Sequence, residues 1–95
     1  MVVGVLKLTL YLPENHSLKG KRGVIKKIKA RVGEKFNVSI AECDAHDLWQ
    51  RAVLGVSQVG AEKGHVESCL QEVVRFIDDM HVAELGDEEL DFVHY

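Results

Sequence analysis

The sequence predicts an α+β sandwich in which two helices cover one face of a four-stranded antiparallel sheet. Three observations carry that expectation. Segments of period-two hydrophobicity and segments of helical spacing follow one another in the order βαββαβ. The 95 residues, 46% of them hydrophobic, suffice for one core and fall in the size range of one domain, residues 1–95. A single proline, no internal repeat and no low-complexity tract interrupt the pattern.

The elements follow in order. Leu6, Leu8, Leu10 and Leu12 alternate with Lys7, Thr9 and Tyr11, as in a half-buried strand. Pro13-Glu14-Asn15-His16 ends it, because proline cannot extend a ladder and asparagine favours turns. Ser17 then suits the N-cap of a helix reaching about Lys35, whose apolar positions Leu18, Val24, Ile25, Ile28 and Val32 share an arc of about 120°. A second strand is read over residues 36–42, and a turn over 43–47 leads to a third at 48–59, with Leu48, Ala52, Leu54 and Val56 on one parity. Helical spacing returns over 61–80 through Val66, Leu70, Val73, Ile77 and Met80. The last strand is placed within 88–94, where Leu90, Phe92 and His94 share a parity. Such a run packs as a ferredoxin-like βαββαβ sandwich with strand order 4-1-3-2, the first strand lying antiparallel beside the third.

Charge is distributed unevenly behind a net of −3. Residues 15–35 hold eight bases (Lys19, Lys21, Arg22, Lys26, Lys27, Lys29, Arg31, Lys35) against Glu34, a balance of +7, whereas 36–95 hold three bases against 13 acids, a balance of −10. Cys43 and Cys69 stand 26 residues apart, which fits no zinc or redox spacing and suggests two free intracellular thiols. Residues 2–12 lack the basic start and small-residue cleavage site of a signal peptide, and no apolar run is long enough for a bilayer. A cytoplasmic protein without membrane contact is expected.

Parity brings candidate functional residues together. Lys7, Thr9 and Tyr11, with Trp49, Arg51, Val53, Gly55 and Ser57, fall on the helix-free face. Antiparallel pairing then sets Tyr11 beside Trp49, with Arg51 one step along. A bulge within 47–50 would reverse the parity and send Trp49 into the core. On the first helix, Lys19, Arg22, Lys26 and Lys29 recur at i, i+3, i+7 and i+10 as one stripe. Like charges at these spacings cost roughly 0.2–0.5 kcal/mol per pair, and cations in the first turn oppose the macrodipole. An external anion would offset both, and Lys19, Lys21 and Arg22 beside free backbone N–H groups suit a phosphate. The competing arrangement pairs the stripe with Glu62, Glu67, Glu72, Asp78 and Asp79 of the second helix, or leaves it solvated. The candidate nucleic-acid contacts are thus Lys19, Lys21, Arg22, Lys26, Lys29, Tyr11, Trp49 and Arg51.

Other chemistries find less. Cys43, Asp44, His46 and Asp47 cluster, but a tight turn points them apart and no second ligand pair stands at a metal spacing. His16, His65, His81 and His94 make no i, i+4 pair, and no phosphate-loop, dinucleotide or nucleophile-elbow motif occurs. No catalytic residue, metal or cofactor is assigned, and a non-enzymatic protein is expected.

Ser17-Leu18-Lys19-x-Lys21-Arg22, then Phe36-Asn37-Val38-Ser39-x-Ala41-Glu42, then Asp47-x-Trp49-Gln50-Arg51 and Gly55 resemble the YlxP-like family of small bacterial proteins. The resemblance covers nearly the whole chain and implies a ferredoxin-like fold. Members are typically encoded beside translation-initiation and ribosome-maturation genes, which implies an action on RNA or the ribosome. This chain departs from the pattern at Gly20, where members usually carry an acid, and at His46, where glutamine is common.

The leading expectation is an RNA- or ribosome-associated protein that meets phosphates through the basic helix and stacks a base on the aromatic rim. The alternative is a homo-oligomeric interaction module that pairs the open face, with Val3, Val5, Ala41, Val53 and Gly55, against a second copy. A small-molecule enzyme ranks third.

Overall fold

Alternation in the first strand produces the layering. In the computed structural model, which describes residues 1–95, β1 (Val2–Tyr11) buries Leu6, Leu8 and Leu10 beneath the helices and turns Val5, Lys7 and Tyr11 to the other side. It is followed by α1 (Leu18–Lys35), β2 (Ser39–Asp44), β3 (Arg51–Gly60), α2 (Lys63–Asp79) and β4 (Glu84–His94). The sheet order is β2-β3-β1-β4, the expected order read from the opposite edge. β1 pairs antiparallel with β3 along its whole length, from Val2 opposite Gly60 to Tyr11 opposite Arg51, and with β4 on its other side.

The core joins these β1 leucines to Ala52, Leu54 and Val56 of β3, Ile25, Ile28 and Val32 of α1, and Val66, Leu70, Val73 and Ile77 of α2. Each such side chain contributes roughly 1.5–3 kcal/mol of burial. α2 lies over β1 and β3, α1 over β2. The approach of α2 depends on Gly4, because a Cβ there would stand 2.5 Å from Val66 and 2.8 Å from Leu70.

Several boundaries differ from expectation, each for a tertiary reason. β2 begins at Ser39, not residue 36, because Phe36 closes α1, donating its N–H to the Val32 carbonyl and setting its ring edge-on to Phe76 at 5.6 Å. β3 begins at Arg51, not residue 48, because Ala45 turns the chain with φ 61 and residues 45–50 form a loop. Trp49 therefore lies outside the strand. It is exposed and not in the core, so the bulge that would have buried it does not occur; the register shift of this hairpin lies instead between Glu42 and Asp44. β4 starts at Glu84, its register shifting between Leu8 and Leu10 of β1. α2 is shorter than expected by two residues at its start and one at its end, within ordinary fraying. No helix is long and apolar enough to cross a membrane.

Both thiols are free, Cys43 exposed and Cys69 half-buried on α2. Titration of unfolded protein without reductant should find two thiols, and in dilute folded protein Cys43 should react first; finding none, or equal rates for the two, would contradict this arrangement.

Candidate nucleic-acid interface

The loop at 45–50 owes its shape to Lys21, one of the expected phosphate contacts. Leu18, Lys21, Ile25, Ile28 and Val32 stand at i, i+3, i+7, i+10 and i+14, so Lys21 occupies the buried stripe of α1. It is 1% exposed. Its Nζ donates to the carbonyls of Ala45 at 2.8 Å, His46 at 3.2 Å and Arg51 at 3.3 Å. Glu42, pointing inward on β2, brings Oε2 to 2.9 Å from the same nitrogen. That contact is an ion pair without hydrogen-bond geometry, and Oε2 is buried with no donor aligned on it. Lys21 is therefore withdrawn from the candidate contacts, for it is inaccessible and its donors are occupied.

Further bonds hold the loop from its other side. The Asn15 amide donates to the Trp49 carbonyl at 2.6 Å and to the Ser17 carbonyl at 2.7 Å. Gln50 Nε2 donates to the carbonyls of Pro13 at 3.0 Å and Asn15 at 3.2 Å, and the Leu12 N–H donates to the Gln50 carbonyl at 2.9 Å. Asn15 is packed so closely on α1 that a Cβ at Gly20 would collide with it. Ser17 caps the helix, accepting from the Gly20 N–H at 2.9 Å. Ala45 holds a left-handed conformation that costs a non-glycine residue roughly 1–2 kcal/mol. Its carbonyl bond from Lys21, and the bond from its N–H to Asp44 at 2.7 Å, hold it there.

So fastened, the loop presents Trp49 to solvent, 53% exposed, beside Leu48 and Tyr11. Tyr11, Pro13, Leu48, Trp49 and Arg51 line one shallow cavity of about 600 Å³. The Tyr11 ring lies on Gly86 of β4, where a Cβ would stand 2.5 Å from Cε2. Tyr11, Trp49 and Arg51 thus share one rim, but the register sets Tyr11 opposite Arg51 and not Trp49, which reaches the rim from the loop.

The stripe of Lys19, Arg22, Lys26 and Lys29 is exposed along its length. None of the four forms an ion pair; the ion pairs of the protein are Lys21–Glu42 and the exposed Lys7–Glu89, at 3.9 Å. The acids of α2 do not neutralise α1. Arg22, Lys26 and Lys29, with Ile25 and Glu42, line a small cavity of about 180 Å³ at the junction of α1 and β2. No group of three or more His, Cys, Asp or Glu residues is placed to hold a metal ion.

Sequence reasoning missed Glu42, Asn15 and Gln50. A signal existed for the first, since Lys21 falls on an apolar helical stripe and Glu42 on the inward parity of β2. Two opposite charges on facing buried positions imply each other. Nothing local marks the hold of Asn15 and Gln50 on the loop, which runs through backbone carbonyls 34 to 37 residues away.

The chain is 40% identical over 77 residues to the Bacillus subtilis (strain 168) protein named Uncharacterized protein YlxP, an overlap covering 81% of this chain and 84% of the relative. Residues 3–90, from the first strand into the last, match the family described as Protein of unknown function (DUF503), and the chain is a member of that YlxP-like family.

Proposed function

We propose that the protein binds single-stranded RNA, free or within a ribosomal particle, and does no chemistry on it. The observation that carries this reading is the unpaired stripe of Lys19, Arg22, Lys26 and Lys29 on a chain whose net charge is −3. Four like charges on one helix, with 15 acids in the chain and none paired with them, favour an external polyanion. The exposed ring of Trp49 supports it, because a base stacked there contributes roughly 1–3 kcal/mol. Arg51 and Tyr11 complete the rim, and the loop fastened by Lys21 separates this rim from the basic stripe. A strand of a few nucleotides running over the loop meets both.

The electrostatics provide the test. Lys26→Gln with Lys29→Gln should weaken binding and lower the slope of log affinity against log salt by roughly 0.7 for each lost single-strand contact. Trp49→Ala should lower affinity with the slope unchanged, since stacking releases few ions. Fluorescence anisotropy with a short labelled oligonucleotide, and co-sedimentation with ribosomal particles, read both. Absence of binding by the wild-type protein at low salt in both assays refutes the proposal.

A further inference from the structure

We propose that the helix-free face of the sheet is an interface with a second copy of this chain, the two related by a twofold axis parallel to the strands. This inference is independent of RNA binding. Both helices lie on the opposite face, and the open face carries a disproportionate share of the exposed apolar side chains, with Val5 40%, Val93 44% and Val59 60% exposed. Register sets Val59, Val3 and Val93 in one row across β3, β1 and β4. A protein surface seldom leaves such a row in water without a partner.

Shape selects the second copy. The open face has a depression of about 860 Å³ over Ala41 of β2 and Gly55 and Ser57 of β3, walled on the other side by Lys7, Glu89 and Asp91 of β1 and β4. Gly55 keeps it open, for a Cβ there would stand 2.5 Å from Cys43 Sγ. A twofold along the strands, passing between β1 and β3, lays β1 of each copy over β3 of the other and β4 over β2. Val3 then meets the partner's Val59, Val5 faces the partner's Ser57, and Lys7 enters the space above the partner's Gly55. The ridge of each copy fills the hollow of the other, and the contact is reciprocal, as an isologous interface requires.

Charge selects the axis. Glu89 and Asp91 lie on β4, while the open-face residues of β2 that line the hollow are the uncharged Ser39, Ala41 and Cys43. A twofold perpendicular to the strands would stack β4 on β4 and set these acids against themselves, which is repulsive. The parallel axis sets Glu89 over Ala41 and Asp91 over Ser39, with Lys7 beside them, and the like charges it brings together are Asp87 and Asp44, which line one cavity with Arg51. The area is adequate: four strands of 10, 6, 10 and 11 residues, about 4.8 Å apart, cover roughly 600 Å² per copy, so about 1,200 Å² in all, above the ~1,000 Å² of a specific interface. The stripe of α1 belongs to the outer layer and remains free in such a pair, whereas Tyr11 and Arg51 at the end of the open face are covered, so the rim is open to a base only in the separated chain.

The experiment is sedimentation velocity of the full chain between about 1 and about 100 μM, with the alkylation rate of Cys43 measured over the same range. Wild type should reach twice the chain mass, and Cys43 should become protected as it does. Val59→Glu adds a charge at an exposed position that contributes nothing to the core, so the fold survives, verified by circular dichroism. Its dimer should be weaker by at least about tenfold, with Cys43 reactive throughout. A wild-type chain that stays monomeric at the highest concentration overturns the proposal. So does a dimer that Val59→Glu leaves intact or in which Cys43 alkylates freely, because either places the contact elsewhere.

Discussion

Replacing Lys21 by methionine should lower the unfolding free energy by about 3 kcal/mol and loosen the loop that carries Trp49. Methionine fills much of the same volume, so the loss is electrostatic. Glu42, its carboxylate largely buried, keeps a charge without a counterion, and the carbonyls of Ala45, His46 and Arg51 lose a shared donor. Ala45 then has less to hold its left-handed turn. Urea unfolding gives the stability, and acrylamide quenching of Trp49, the chain's single tryptophan, gives the loop. Adding Glu42→Leu should recover at least half of the lost stability, because removing both charges removes the desolvation cost, while quenching stays high because the carbonyls still lack their donor. Recovery of both readouts together would contradict a role for Lys21 in shaping the loop. On RNA, Lys21→Met should lower affinity without lowering the salt slope, which separates a residue that shapes the site from one that touches phosphate.

Gly4→Val should cost a further loss of similar size, about 3 kcal/mol, by a different mechanism. The new side chain points inward from β1 into Val66 and Leu70, both fully buried in α2, so neither can yield without moving the helix. Overpacking of this kind typically costs roughly 1–3 kcal/mol, and here the upper end applies because the clash is with a packed helix on a central strand. Gly23→Ala is the matched control: its Cβ meets nothing within 4 Å, and an exposed helical alanine should gain up to about 1 kcal/mol. Denaturant midpoints of the two variants should therefore move in opposite directions. A Gly4→Val variant as stable as wild type would mean that α2 sits farther from the sheet than described.

The elements of the fold were legible because their signals are local. The leucines of β1 announce a half-buried strand through alternation alone, and Val66, Leu70, Val73 and Ile77 announce α2 through spacing alone. Phe36 shows where that reading fails. It stands at the head of an alternating run, yet its ring packs on Phe76, and helix-to-helix packing overrode the period-two pattern. Trp49 shows a second limit, since the order and composition of residues 45–50 suit either a strand start or a loop. The bonds that make it a loop come from Lys21, Asn15 and Gln50, across 24 to 37 residues of sequence.

The sequence by itself determined the order of strands and helices, the faces on which their apolar residues lie and the concentration of positive charge on α1. Each of these follows from the identity of residues within a few positions of one another. Only the tertiary structure decided what each cation does. Lys21 and Lys26 are the same residue type five positions apart on one helix, but three carbonyls and a carboxylate converge on the first, and the second forms no ion pair. A buried ammonium is tolerated only where such partners meet it, and convergence of that kind arises from the folding of distant segments upon one another.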